Sequence, residues 1–272
     1  MAQYPEELLL GKNTPVVDEY SPQLLYPISR ATGRAALAIG DARKLYGADL
    51  WHAYEVSWLD SAGKPQVRVG RFTVPADSPN MVESKSFKLY LNSLNNTRFA
   101  AEQELVAVIQ RDIARATGAE VDIELLPVGS PMLAGTLPEG ACIDELDIAG
   151  GATAPAADLL VKTGEVVEES LHSHLLRSLC PVTGQPDWAS VWIHYRGEGL
   201  DHASLLRYII SFRQHQDFHE QCVERMFCDI GDATRAEILH IQAFYTRRGG
   251  MDINPFRSTD PGTSPRPRMN RQ

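Results

Sequence analysis

Two stretches, "WHAYEVSWL" (51–59) and "QVRVGRFTV" (66–74), alternate apolar and polar side chains on either side of the turn-forming "DSAGKP". A period of two matches a strand with one buried face, and two such runs around a glycine-containing turn read as an antiparallel hairpin. A half-buried hairpin needs further elements to cover its apolar face. The following segments supply them. "KSFKLYLNSL" (85–94) and "AAEQELVAVIQRDIARATG" (100–118) have helical spacing, with Leu105, Val106, Ile109 and Ile113 recurring at three and four, and "EVDIELLPV" returns as a strand. The first half therefore reads β-β-α-α-β.

"GSPMLAGTLPEG" and the Ala/Gly-rich "IAGGATAPAA" punctuate a long connection, which divides the chain into modules 1–145 and 146–272. In the second module "EVVEESLHSHLLRSL" (165–179) reads as a helical run and "ASVWIHYRG" (189–197) as a strand. Helices in "DHASLLRYIISFRQ" and "DFHEQCVERMFCDI" and a strand in "EILHIQAFYTRR" follow. The terminal "STDPGTSPRPRMNRQ" is expected to pack little of its own. "KLYLNSLNNTRF" and "LRYIISFRQHQDF" echo one another, with tyrosine, serine and phenylalanine at similar spacing. The shared order and this echo point to an α+β fold of duplicated modules, antiparallel sheets carrying their helices on one face.

At 272 residues, 43% hydrophobic and 22% charged, the chain has a globular composition, and no apolar run approaches the ~20 residues of a membrane span. "MAQYPEELLLGK" carries glutamates where a signal peptide carries basic residues, so export is not expected. A net charge of -9 disfavours a nucleic-acid partner, because binding phosphates needs a clustered basic surface. Cys142, Cys180, Cys222 and Cys228 form no C-x-x-C pair, which fits free thiols in a reducing cytoplasm.

Four stretches could carry chemistry. In "SLCPVTGQPDWAS" (178–190), Pro181 and Pro186 bracket a stiff loop that would hold Cys180 and Asp187 at one strand end, a thiol beside a proton donor; a core cysteine and a turn aspartate are the bland alternative. In "VESKSFKLYLNS", Glu83, Lys85 and Lys88 stand at a helix start. They are either a capped, solvated face or, with first-turn N–H groups, a phosphate seat. In "DFHEQCVE", His219 and Glu220 are a surface pair or a clamp in which the carboxylate accepts two parallel hydrogen bonds from a guanine-like edge. In "YTRRGGMDINPFRS", glycines beside Arg247 and Arg248 would let a phosphate-bearing ligand approach the backbone. No metal site is expected: His172 and His174, two apart, would point to different sides of a helix and make a poor zinc set with Cys180 unless the segment is a strand. Neither a G-x-G-x-x-G nor a P-loop motif is present.

Taken in order, "ESKSFKLYLNS", "CPVTGQPDW", "SFRQHQDFHEQCVE" and "YTRRGGMDINPFRS" resemble the NADPH-dependent 7-cyano-7-deazaguanine reductases, the nitrile reductases of queuosine biosynthesis, in their two-module form. The resemblance implies tandem tunnelling-fold modules, a homodimer, and four-electron reduction of a nitrile to an amine with two NADPH. By the same resemblance Cys180 is the nucleophile and Asp187 the acid. Glu83, Ser84, Lys85, His219 and Glu220 would line the substrate site, and Lys85, Ser86, Arg248 and Gly249 would contact NADPH. The alternatives are a zinc-dependent hydrolase resembling GTP cyclohydrolase and a non-catalytic purine-binding protein.

Overall fold

The computed structural model describes residues 17–37, 39, 45–148 and 153–272. The stretch considered for export, and residues 149–152 of the Ala/Gly-rich connection, lie outside the described residues. Two compact units emerge. The first draws its described residues from Met1–Ala36, Asp49–Ala134 and Arg247–Ile253, the second from Leu37–Ala48, Gly135–Thr246 and Asn254–Gln272. The elements in chain order are β1 (Pro27–Ser29), α1 (Arg30–Ala36), β2 (Tyr46–Leu59), β3 (Pro65–Pro75), β4 (Asn80–Val82), α2 (Ser84–Ser93), α3 (Glu102–Thr117) and β5 (Asp122–Leu126). They continue with β6 (Ala141–Cys142), β7 (Lys162–Leu179), β8 (Pro186–Leu200), α4 (His202–Ser211), α5 (His219–Thr234), β9 (Ile238–Tyr245) and β10 (Met251–Ser258). None of these helices is long and apolar enough to cross a membrane.

In the first unit the strands run β5-β3-β2, with β3 antiparallel to β5. The β2–β3 turn is tied by Asp60, whose carboxylate accepts the N–H groups of Ala62 and Lys64. The alternating side chains Trp51, Ala53, Phe72 and Val74 face Phe87, Tyr90, Leu105 and Ile109 of the two helices and form one apolar core. α3 ends where Gly118 turns left-handed at φ 75°, a conformation that costs glycine nothing.

The second unit corrects one expectation from the sequence. Residues 165–179 are not helical but belong to β7, an 18-residue strand antiparallel to β8, from Lys162 opposite Leu200 to Leu179 opposite Pro186. Leu171 and Leu176 both reach the core although five apart, which strict alternation forbids. A register shift between Ser173 and Leu176 reconciles them, and this break in the period of two makes the run look helical on paper. The order β7-β8-α4-α5-β9 then repeats β2-β3-α2-α3-β5. Leu205, Tyr208, Ile209, Val223, Met226 and Ile230 of α4 and α5 close over the sheet's inner face.

The repeat extends to individual hydrogen bonds. At the start of α2 the Ser86 N–H donates to the Glu83 carboxylate (2.7 Å) and its hydroxyl to the Glu83 carbonyl (2.7 Å), while Tyr26 N–H donates to Ser86 Oγ (3.0 Å). At α4 Ser204 bonds Asp201 in the same two ways (2.8 and 2.7 Å) and accepts from Val161 N–H (3.0 Å). Tyr90 donates to Asp112 of α3 (2.8 Å), and Tyr208 to Asp229 of α5 (2.7 Å). The tyrosine of the sequence echo is thus a repeated helix–helix tie, and a repeated cap lies just ahead of it.

The C-terminal stretch is a second correction, because it docks. Thr136 N–H donates to Arg268 O, Gln272 reaches Asn254 Oδ1 (2.6 Å), and Met269 is buried against Trp192, Phe244 and Phe256. Backbone pairing and one apolar anchor outweigh a composition rich in proline and arginine. The fold is α+β: β1–β4, β3–β5, β7–β8, β8–β9 and β9–β10 pair antiparallel, and the short β6 pairs parallel with β7.

Candidate functional site

The second unit gathers four of the singled-out residues around the turn end of the β7–β8 hairpin. Cys180 follows β7 directly, and Asp187 is the second residue of β8, opposite Ser178. The six-residue connection is closed by Cys180 N–H donating to Gln185 O (2.8 Å) and Gly184 N–H to Cys180 O (2.9 Å). The prolines at 181 and 186 restrict φ there, so the loop presents its thiol in a defined position, only 2% exposed. The segment ahead of α5 is bound to the same place: Leu179 N–H donates to His215 O (2.8 Å) and Asp217 N–H to Leu179 O (3.2 Å). His219 and Glu220, in the first turn of α5, thereby come to the hairpin end.

His219 Nε2 lies 3.3 Å from Asp187 Oδ2, and its ring stacks on Tyr245 with centroids 3.6 Å apart and planes 3° from parallel. The stack and the carboxylate hold the imidazole from two sides. Its buried Nδ1 has no hydrogen-bond partner among the described residues, a cost that a polar ligand can remove. Glu220 is 4% exposed, and such a buried carboxylate at a helix N-terminus gains from the helix dipole. The Cys222 thiol neighbours Ser178 and Tyr245. Burial, followed by the nearby Asp217 carboxylate, pushes the Cys222 thiol well above its ordinary range, which leaves it a poor nucleophile. Tyr245, raised chiefly by burial, was missed from sequence; only its place in the strand signal could have hinted at it.

The remaining candidates lie in the first unit. Glu83 caps α2, its two oxygens accepting the N–H groups of Lys85 (2.8 Å) and Ser86 (2.7 Å). Burial raises its pKa and those two N–H groups oppose the rise. The first-turn donors expected for a phosphate are thus already taken by a carboxylate, and the Ser86 hydroxyl is spent within the cap. Ser84 and Lys85, half-buried, remain at the helix start. Arg248 and Gly249 sit in a tight turn in which Arg248 N–H donates to Met251 O (2.8 Å). Gly249 (φ 62°) and Gly250 (φ 82°) are both left-handed, as this turn requires. Beside the turn a cavity of about 80 Å³ is lined by Glu55, Lys88, Asn92, Asn95, Gly249 and Gly250. Lys88 pairs there with Glu55 at 3.3 Å, and Arg247 lies 3.7 Å over the Tyr54 ring.

The ground for expecting no metal does not survive. His172 and His174 lie on a strand, where residues two apart share a face, and the thiol beside them is that of Cys142.

Sequence comparison adds a relationship to this geometry. A family model described as nitrile reductase, 7-cyano-7-deazaguanine-reductase N-term matches residues 16–125, and one described as QueF-like protein matches 186–263. The NADPH-dependent 7-cyano-7-deazaguanine reductase of Dechloromonas aromatica is 53% identical over 259 residues, covering 94% of this chain and 92% of its own. Proteins of the same name from Bordetella pertussis (53%; 92% of each chain) and Chromohalobacter salexigens (50%; 96% and 94%) are similar over comparable lengths.

Proposed function

The chain belongs to the family of NADPH-dependent 7-cyano-7-deazaguanine reductases, and from that premise we propose how its own residues reduce the nitrile of 7-cyano-7-deazaguanine to the primary amine. The observation that carries the reading is the convergence of Cys180, Asp187, His219 and Glu220 at one end of the β7–β8 hairpin.

A nitrile carbon accepts hydride poorly. Addition of the Cys180 thiolate, with the proton of Asp187 passing to the nitrile nitrogen, gives a thioimide, a C=N group far easier to reduce. NADPH, when bound, supplies one hydride, so two NADPH in succession supply the two that the reaction needs. Between them the tetrahedral adduct expels the thiolate, leaving an imine that must be kept from water or it hydrolyses. His219, held by Asp187 and Tyr245, shields that group and can pass protons through Asp187. The Glu220 carboxylate accepts the N–H and amino hydrogens of the deazaguanine edge. A site built for those donors rejects analogues lacking them by roughly 10⁴–10⁵, so simple aliphatic nitriles are not substrates.

The α2 start, held by Glu83 and Ser86, presents Ser84 and Lys85 toward ligand. The left-handed turn at Arg248 and Gly249, with exposed backbone and a guanidinium, suits the phosphates of NADPH, and Lys85 adds a second cation. Tandem modules, homodimeric assembly, a cytoplasmic setting and no nucleic-acid partner complete the reading. The repeated cap and tyrosine–aspartate tie support the first of these.

The test is intact-mass spectrometry of the protein mixed with 7-cyano-7-deazaguanine without NADPH. A gain of one ligand mass, mapped to Cys180 and absent from Cys180→Ala, is expected. An adduct on Cys142, Cys222 or Cys228, or undiminished amine formation by Cys180→Ala, would overturn it.

A further inference from the structure

We propose that Cys142, His172 and His174 form a site for a divalent transition metal, zinc in the first instance, on the second unit. Their ligand atoms lie within 4.8 Å of one another. Cys142 on β6 stands opposite His172 on β7 in parallel register, so thiol and imidazole project from the same face. His174, two residues on, shares that face, with ring centroids 5.4 Å apart. Leu171 turns the other way into the core.

The arrangement is built rather than incidental. His172 Nδ1 meets the Glu139 carbonyl (3.2 Å) and His174 Nδ1 meets Ser190 Oγ (2.7 Å). Each imidazole is thus anchored through one nitrogen with Nε2 as the remaining ligand, the arrangement that outer partners give to metal-binding histidines. The Cys142 segment is fixed as well. Ile143 N–H donates to His172 O (3.1 Å), and Asp144 accepts from the Ser173 hydroxyl (2.6 Å) and the His174 N–H (3.0 Å). Gly140, at φ 85°, lets the chain approach β7 so closely that a Cβ there would meet Ser170 O at 2.2 Å. One thiolate and two imidazoles favour zinc over magnesium or calcium. Tetrahedral zinc with ordinary bond lengths sets such atoms about 3.3–3.7 Å apart, so the three must draw in by about an ångström. Cys142 is exposed, so the fourth position faces solvent and takes water.

The site lies six to eight residues along β7 from Cys180, about 20 Å or more at the usual strand rise. It cannot activate water at Cys180. Its effect is to clip the Cys142 segment to β7, and stoichiometric zinc in this protein would not argue for a hydrolase.

The test is titration of the purified full chain with Co²⁺ alone, then competition by Zn²⁺, under a phosphine reductant. One equivalent should bind, giving tetrahedral ligand-field bands and a thiolate-to-cobalt charge-transfer band, all displaced by Zn²⁺. Cys142→Ser should abolish the charge-transfer band, and His174→Gln should weaken affinity by tenfold or more, both with unchanged circular dichroism and reductase activity. Absence of stoichiometric binding would overturn the site. So would a charge-transfer band that survives Cys142→Ser, or affinity that His174→Gln leaves unchanged. If His174→Gln misfolds, His172→Gln supplies the same reading.

Discussion

Asp187 and Glu220 are both buried carboxylates, yet the tasks proposed for them separate in kinetics. Asp187→Asn keeps size and hydrogen bonding but loses the transferable proton, so turnover should fall by about 10²–10⁴ with substrate affinity little changed. Single-turnover kinetics and equilibrium binding check this. Glu220→Gln should do the reverse. Exchanging a charge-assisted acceptor pair for an amide costs about 1.5–3 kcal/mol, or roughly tenfold to a hundredfold in substrate Kd, read by calorimetry. Residue types made both carboxylates visible in the sequence. What they did not disclose was the His219–Tyr245 stack, because a partner 26 positions away carries no local signal. Nor did they show that the Glu83 carboxylate closes the helix start that seemed ready for phosphate.

At the scale of elements, the twin tyrosine–aspartate ties make a graded prediction. Tyr208→Phe removes a hydrogen bond from a fully buried tyrosine to the half-buried Asp229 and should lower stability by about 1–3 kcal/mol in urea unfolding. Tyr90→Phe should fall at the low end of that range, since Asp112 still accepts from Tyr20 (2.7 Å) and Arg111 (3.0 Å). The helices were legible because their apolar residues keep a period of three and four along uninterrupted runs. β7 was not, because its register shift breaks the alternation on which strand reading depends, and that shift is visible only in its pairing with β8. β10 was also missed: its burial on both faces replaces alternation with a mixed run through Pro255 and Arg257.

For the molecule as a whole, acid should be destabilising through His240. Burial, then the neighbouring His194, lowers its pKa from 6.5, while Asp260 opposes the shift and Arg266 adds to it. The unfolded chain then binds the proton first as pH falls through about 6.5. Stability is full above that value and declines below it. Urea unfolding at pH 7.5 and 5.5 should show the loss, and His240→Gln should reduce it. The sequence by itself determined the β-β-α-α-β plan of its first half, the solvent-compatible composition and the candidate residues, because period, cap chemistry and side-chain type are local properties. Only the tertiary structure decided that 165–179 is a strand, that the proline-rich end docks, and that Cys142 meets His172 and His174. Each of these depends on pairing with another segment of the chain, and the free energy of that pairing and burial outweighs what the neighbouring residues prefer.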